Sequence, residues 1–131
     1  MRNIKVSVLM PAYNSEIFIS KSIESIILQN YVNYELIIVD DGSNDSTKEV
    51  IKKYSRKHSN IRLISKSNSG LTDTLNLGLK YCSGEWIARL DSDDLSAFER
   101  LQKQVMYAQL SNKIGLICLL YTSDAADDET S

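Results

Sequence analysis

Apolar residues along this chain follow two rhythms that alternate. Short continuous runs come first: residues 5–10, rich in β-branched side chains, then 35–39 (ELIIV), 61–64 and 86–90. Each is too short for a buried helix and is bounded by turn-forming residues, so each predicts a strand. Proline cannot donate to a sheet ladder, so Pro11 is expected to end the first strand and leave residues 12–15 as a loop. Between the runs the spacing lengthens to that of helices. Ile17, Ile19, Ile23, Ile26 and Ile27 form one stripe, with Ser15 as a plausible N-cap. Val50, Ile51 and Tyr54 form a second, opened by a capping box of Ser46 and Glu49. Leu71, Leu75 and Leu79 recur every four residues in a third, with Leu77 to one side, and residues 82–84 close that helix on a left-handed Gly84. Residues 98–110 form a fourth, with Leu101, Val105 and Leu110 turned inward. Residues 114–117 open a fifth strand.

Strand and helix therefore alternate, and the strands are apolar throughout. That predicts an α/β fold: a doubly wound, mostly parallel sheet with helices on both faces. In such sheets ligands gather beyond the carboxyl ends of the strands. Three loops there carry the chemistry: residues 11–15, residues 40–43 and residues 91–94. The last places Asp91, Asp93 and Asp94 within four residues. Like charges that close repel, and an all-oxygen ligand set suits a hard divalent cation such as Mg²⁺ or Mn²⁺. A solvated Asp-rich turn is the alternative. The prediction that all three loops meet on one rim favours the metal.

Composition narrows the field. A chain of 131 residues suffices for one cored domain, and a net charge of −2 gives no case for a nucleic-acid binder. The single His58 cannot build a His-rich zinc site or a Ser-His-Asp triad. Cys82 and Cys118 lack metal-ligand spacing and frame no disulfide scaffold. The first residues lack the form of a secretory leader, and no run reaches the roughly 18 apolar residues of a membrane helix. A cytoplasmic setting is the expectation, with peripheral attachment to the inner face of a membrane open to a longer protein. The cations around Lys52, Lys53, Arg56, Lys57 and His58 complement the end of the second helix. Residues 118–131 fit neither rhythm. They resemble the translation of an adapter used in DNA sequencing libraries and are expected to be a non-native tail, which leaves residues 1–117 as one incomplete domain.

The segments VSVLMPAYN (6–14), ELIIVDDGSNDST (35–47), SNSGLTDTLNLGL (67–79), GEWIARLDSDDL (84–95) and ERLQKQ (99–104) together resemble the nucleotide-binding half of a family 2 glycosyltransferase of GT-A fold. The resemblance implies an enzyme that moves a sugar from a nucleotide diphosphate donor, UDP-linked by expectation, to a hydroxyl of a glycan or lipid-linked acceptor with inversion. It makes Asp91-Ser92-Asp93 the Asp-x-Asp motif. Asp93 would hold Mn²⁺ or Mg²⁺ against the diphosphate, and Asp91 would face the ribose or the outer shell of the metal. Asp41 would accept from the imide N–H of a uracil-type base, Tyr13 would pack on its ring, and Pro11, Ala12 and Asn14 would shape that wall. Asp40 would orient the loop.

The chain also departs from the family pattern. Leu75 stands where many relatives carry a phosphate-contacting Arg, with Lys66 or Arg89 as candidate substitutes, and Phe98 stands where a Pro is common. The acceptor pocket and the general base belong to the second half of such a domain, so no residue here is assigned as the base. The expectation is donor binding without transfer. A receiver-type signalling domain would need an acid pair after the first strand and an Asp after the third, and the chain has neither. A nucleotidyltransferase would need a Gly-rich phosphate loop after the first strand. A non-catalytic nucleotide-binding fragment is the remaining alternative.

Overall fold

The computed structural model describes residues 4–110. Four strands alternate with four helices: β1 (Val6–Ala12), α1 (Ile19–Ile27), β2 (Tyr34–Asp41), α2 (Thr47–Lys57), β3 (Ile61–Lys66), α3 (Leu71–Leu79), β4 (Trp86–Arg89) and α4 (Arg100–Leu110). The strands form one parallel sheet in the order β3-β2-β1-β4. The expected fifth strand at 114–117 and the expected non-native tail at 118–131 lie outside the described residues.

Alternation along each strand divides the core into two layers. Val6, Val8 and Met10 of β1, with Leu36 and Ile38 of β2, face α1, α2 and α4 through Ile19, Ile23, Ile26, Ile51, Leu101 and Val105. Leu9, Ile37, Val39 and Ile64 face the other way, onto Leu75 and Leu77 of α3. Helices thus cover both faces, and the apolar continuity of the strands has its cause in that double burial.

Several local expectations are corrected. β1 continues through Pro11 to Ala12, which pair in register with Val39 and Asp40. The carbonyl of Leu9 accepts from Leu90, so Pro11, two residues on, turns its donor-less nitrogen to the same side. β1 pairs with β4 only from Val6 to Leu9, so no ladder bond is lost there. The first helix begins at Ile19, not after a Ser15 cap, because the buried Ser15 hydroxyl bonds to Ser92 and to the Tyr13 carbonyl. Ile17 falls before the helix and is 78 % exposed. α2 starts where expected, but Ser46 makes no side-chain cap. Asp45 Oδ1 takes the Thr47 amide at 2.9 Å instead, and Glu16 from the neighbouring loop takes the Ser46 amide at 3.1 Å.

α3 lies on a different face from the one its leucines suggest. Leu71 and Leu79 are 51 % and 44 % exposed, while Thr74 and Gly78 are buried. A Cβ at Gly78 would sit 2.3 Å from Leu9 Cδ1 and 2.9 Å from Val39 Cγ2. The small pair at i, i+4 lets the helix lie directly on β1 and β2, and bulky leucines are displaced to its flanks. α4 begins at Arg100, leaving Phe98 exposed in the preceding loop. Gly84 does not take the left-handed conformation, which belongs to Gly42 and Gly70. It is needed for closeness: a Cβ there would lie 2.6 Å from the Ser7 nitrogen. Glu35 holds that corner, accepting from Ser7 Oγ at 2.5 Å and the Ser83 amide at 2.6 Å, with Lys5 at 3.5 Å.

Candidate functional site

The strand order reverses direction between β1 and β4: the chain builds outward from β1 to β3, then crosses back to lay β4 on the other side. In open α/β sheets ligands bind beyond the carboxyl ends of the strands at such a point. A cleft of about 580 Å³ lies there, lined by Pro11, Ala12, Tyr13, Asn14 and Ser15 after β1, by Asp41 at the end of β2, and by Arg89, Asp91, Ser92 and Asp93 after β4. All eight residues proposed from the sequence as donor or metal contacts line this one cleft. Asn68, Gly70, Leu71 and Thr74 close its far wall. None of the four was marked as a contact by the sequence: nothing in a Ser-Asn-Ser-Gly turn distinguishes a wall from a connector, and Leu71 and Thr74 belong to the helix that follows it.

The acidic loop is firmly anchored. Ser15 and Ser92 hydroxyls meet at 2.6 Å, and the buried Ser22 hydroxyl on α1 donates to the Ser92 carbonyl at 2.8 Å. Behind it, Arg100 donates to the Arg89 carbonyl at 2.6 Å, and the Gln29 amide group donates to the Ala97 carbonyl at 2.6 Å. Carboxylate oxygens of Asp91, Asp93 and Asp94 lie within 4.8 Å of one another. A turn bond from the Asp94 amide to the Asp91 carbonyl, 3.0 Å, brings the third acid back toward the first. Asp94 therefore joins the metal-ligand candidates beside Asp91 and Asp93, and its adjacency to them was the signal. Three hard oxygen donors in this spacing fit Mg²⁺ or Mn²⁺.

Arg89 reaches Asp91 Oδ1 through Nε and Nη2 at 3.2 and 3.1 Å, inside the cleft. Of the two candidates to replace the missing Arg, it alone lines the space. Lys66 instead bonds Asp41 Oδ1 at 2.6 Å. Asp41 is 5 % exposed and takes two donors on each oxygen. Lys66 and the Ser69 amide (2.9 Å) meet Oδ1; the Gly70 amide (3.1 Å) and Asn68 Nδ2 (3.3 Å) meet Oδ2. Burial opposes its charge, but Lys66 and the two amides outweigh that and hold the carboxyl below the usual range. Asp40, buried on the other face of β2, accepts from the Ser43 hydroxyl and so orients the loop. Tyr13 is half-exposed beside the cleft, preceding Asn14, whose backbone is left-handed at φ 48°. Leu75, in the place of the family Arg, packs against the sheet.

A parallel α/β sheet with a carboxylate-lined cleft at its reversal point defines a nucleotide-binding fold of the GT-A kind. The comparisons agree. The family model described as glycosyl transferase family 2 matches residues 7–131, and the chain belongs to that family. It is 47 % identical to EpsE of Bacillus subtilis over 107 residues, 80 % of this chain and 38 % of that protein. It is 39 % identical to the Escherichia coli UDP-Glc:alpha-D-GlcNAc-diphosphoundecaprenol beta-1,3-glucosyltransferase WfgD over 118 residues, 89 % of this chain and 46 % of the relative. Among solved structures it is similar to S. aureus TarS 1–349 in complex with UDP-GlcNAc, with a TM-score of 0.77 and 32 % identity over 83 % of this chain and 32 % of that one. It is also similar to the mannosyltransferase PcManGT from Pyrobaculum calidifontis in complex with GDP-Man and Mn²⁺, with a TM-score of 0.74 and 27 % identity over 79 % and 32 % of the two chains. The chain thus spans less than half the length of these relatives. Among the described residues no helix is long and apolar enough to cross a membrane.

Proposed function

We propose that this chain is the donor-binding part of an inverting glycosyltransferase that takes its sugar from a UDP-linked donor and passes it to a hydroxyl of a glycan or lipid-linked acceptor. One observation carries the reading: the loops after β1, β2 and β4 line a single cleft, with Asp91 and Asp93 on one wall and Asp94 within 4.8 Å of both. Asp93 and Asp91, with Asp94, hold Mn²⁺ or Mg²⁺. That ion, when bound, neutralises the diphosphate that departs as the sugar bond breaks. The side chains divide the remaining work. Tyr13 packs on the base, and Pro11, Ala12 and Asn14 form the wall beside it. Ser92, tied to Ser15 and Ser22, fixes the spacing of the acids on either side of it. Asp41 Oδ2 accepts the imide N–H, which displaces the long Asn68 contact. Arg89 stands near enough to meet a phosphate if it exchanges Asp91 for the ligand.

None of these side chains is assigned to deprotonate an acceptor, so the chain alone is expected to bind the donor without transferring the sugar. Calorimetry tests the reading. UDP binds in the presence of Mn²⁺, and Asp93→Ala abolishes the binding. Equal affinity with and without the metal overturns the metal assignment. Sugar transfer by the isolated chain overturns the division between binding and transfer.

A further inference from the structure

Lys66 is the last residue of β3, and it pairs in register with Asp41, the last of β2. In-register neighbours on adjacent parallel strands project to the same face, so the sheet itself sets the ammonium beside the carboxylate. Asp41 is buried and Lys66 partly so, with 7 % and 14 % of their side chains exposed. The ammonium has three donors, and all three are used: on Asp41 Oδ1 at 2.6 Å, on the Ser67 carbonyl at 2.7 Å, and on the Ser69 hydroxyl. Lys66 stays behind the cleft wall, whereas Asp41, Asn68 and Gly70 form it. It touches no ligand space and acts only through its neighbour.

The state of that neighbour decides what the wall can read. An ionised carboxylate only accepts hydrogen bonds; a protonated one also donates. We propose that Lys66 is the positioning residue that sets base selectivity here: it keeps Asp41 a pure acceptor, so that the cleft takes a base edge with a ring N–H, as in uracil, and rejects one with a bare ring nitrogen, as in cytosine. This rests on the donor reading above. Other charged groups are otherwise engaged or more remote. Asp40 is held by Ser43 on the opposite face, Arg89 is held by Asp91, and Asp93 lies on the β4 side of the cleft. From the β1 side Tyr13 is the titratable group, and the first turn of α3 contributes the exposed Asp73.

The experiment compares UDP and CDP binding to the full chain with Mn²⁺ between pH 5 and 8, using Lys66→Gln, which keeps a donor but removes the charge, and Lys66→Arg. The wild type prefers UDP across the range. In Lys66→Gln the UDP/CDP ratio falls by about tenfold, as the protonated fraction of the carboxyl rises, and falls further toward pH 5. Lys66→Arg restores the ratio. Circular dichroism checks each variant. If Lys66→Gln fails to fold, Lys66→Arg must still keep the ratio, and a loss there overturns the proposal. Equal weakening of UDP and CDP at every pH by Lys66→Gln also overturns it, leaving Lys66 a purely structural tie. Failure of the wild type to bind UDP at all is a different result: it overturns the donor reading and, with it, this one.

Discussion

Gly42 joins two of the cleft loops. Its φ is +72°, and a Cβ there would lie 2.6 Å from the Asn68 backbone nitrogen. Either fact alone disfavours a side chain; together they make the position intolerant. Gly42→Ala is expected to destabilise the chain by about 1–3 kcal/mol and to weaken UDP binding, because Asn68 and Asp41 shift together. Urea titration and calorimetry read the two effects. The acids stood out in the sequence because they cluster where apolar runs break off, whereas the need for Gly42 shows only in the approach of Asn68. The partners of Asp41 were not. Lys66, Ser69 and Gly70 lie 25 to 29 residues away in sequence, and only the β2–β3 register brings them in. Cys82 is a quieter case: burial, with Glu35 nearby, pushes its thiol up to about 11. It is a packing group and not a nucleophile.

Among the elements, α3 shows where periodicity misleads. A leucine every fourth residue is the usual mark of a buried stripe. Here only Leu75 of the three packs on the sheet, and the neighbouring row, Thr74 and Gly78, lies deepest, because close approach to Leu9 and Val39 required small side chains. Gly78→Ala is therefore expected to cost about 1–3 kcal/mol by overpacking. Leu79→Ser on the exposed side is expected to change stability by no more than about 0.5 kcal/mol. Denaturant midpoints separate these outcomes, and the reverse ranking would restore the leucine stripe as the buried face. Helix starts were misjudged for a related reason. Ser15 and Ser46 have the right chemistry for caps, but Ser92 claims the first hydroxyl, and Asp45 supplies the cap beside the second. Strands fared better, since a run buried on both faces admits few alternatives.

At the scale of the whole molecule, two lysine-paired carboxylates sit at opposite ends of the sheet, the buried Asp41 at the cleft and the partly buried Glu35 at the far corner. Burial opposes the charge of each, and hydrogen bonds with a nearby lysine outweigh it, so both are held below their ordinary range. Each folded-state value lies under the unfolded one, so the stabilisation is complete above the unfolded values, near pH 4, and is lost as pH falls from there through the lower folded-state values. Stability is expected to be level from about pH 8 to 5 and to decline below about pH 4. Urea melts at a series of pH values check this, and a decline beginning near neutrality would contradict it. The family and its parallel sheet were visible in the order of motifs. The loop-to-loop bonds that fix the cleft were not, because they depend on which strands become neighbours.

The corner where Gly84 presses on Ser7 has an effect at a distance. β4 is only four residues long and is positioned from its starting end, where Glu85 donates to the Lys5 carbonyl at 2.8 Å. A side chain at 84 would meet the Ser7 nitrogen and the Lys5 carbonyl at 2.6 and 2.8 Å, so the start of β4 has to shift. Asp91 begins only two residues past the end of β4, so a displaced strand carries the acidic loop with it. A methyl group added at the base of the sheet is thus expected to disturb the carboxylates at its summit.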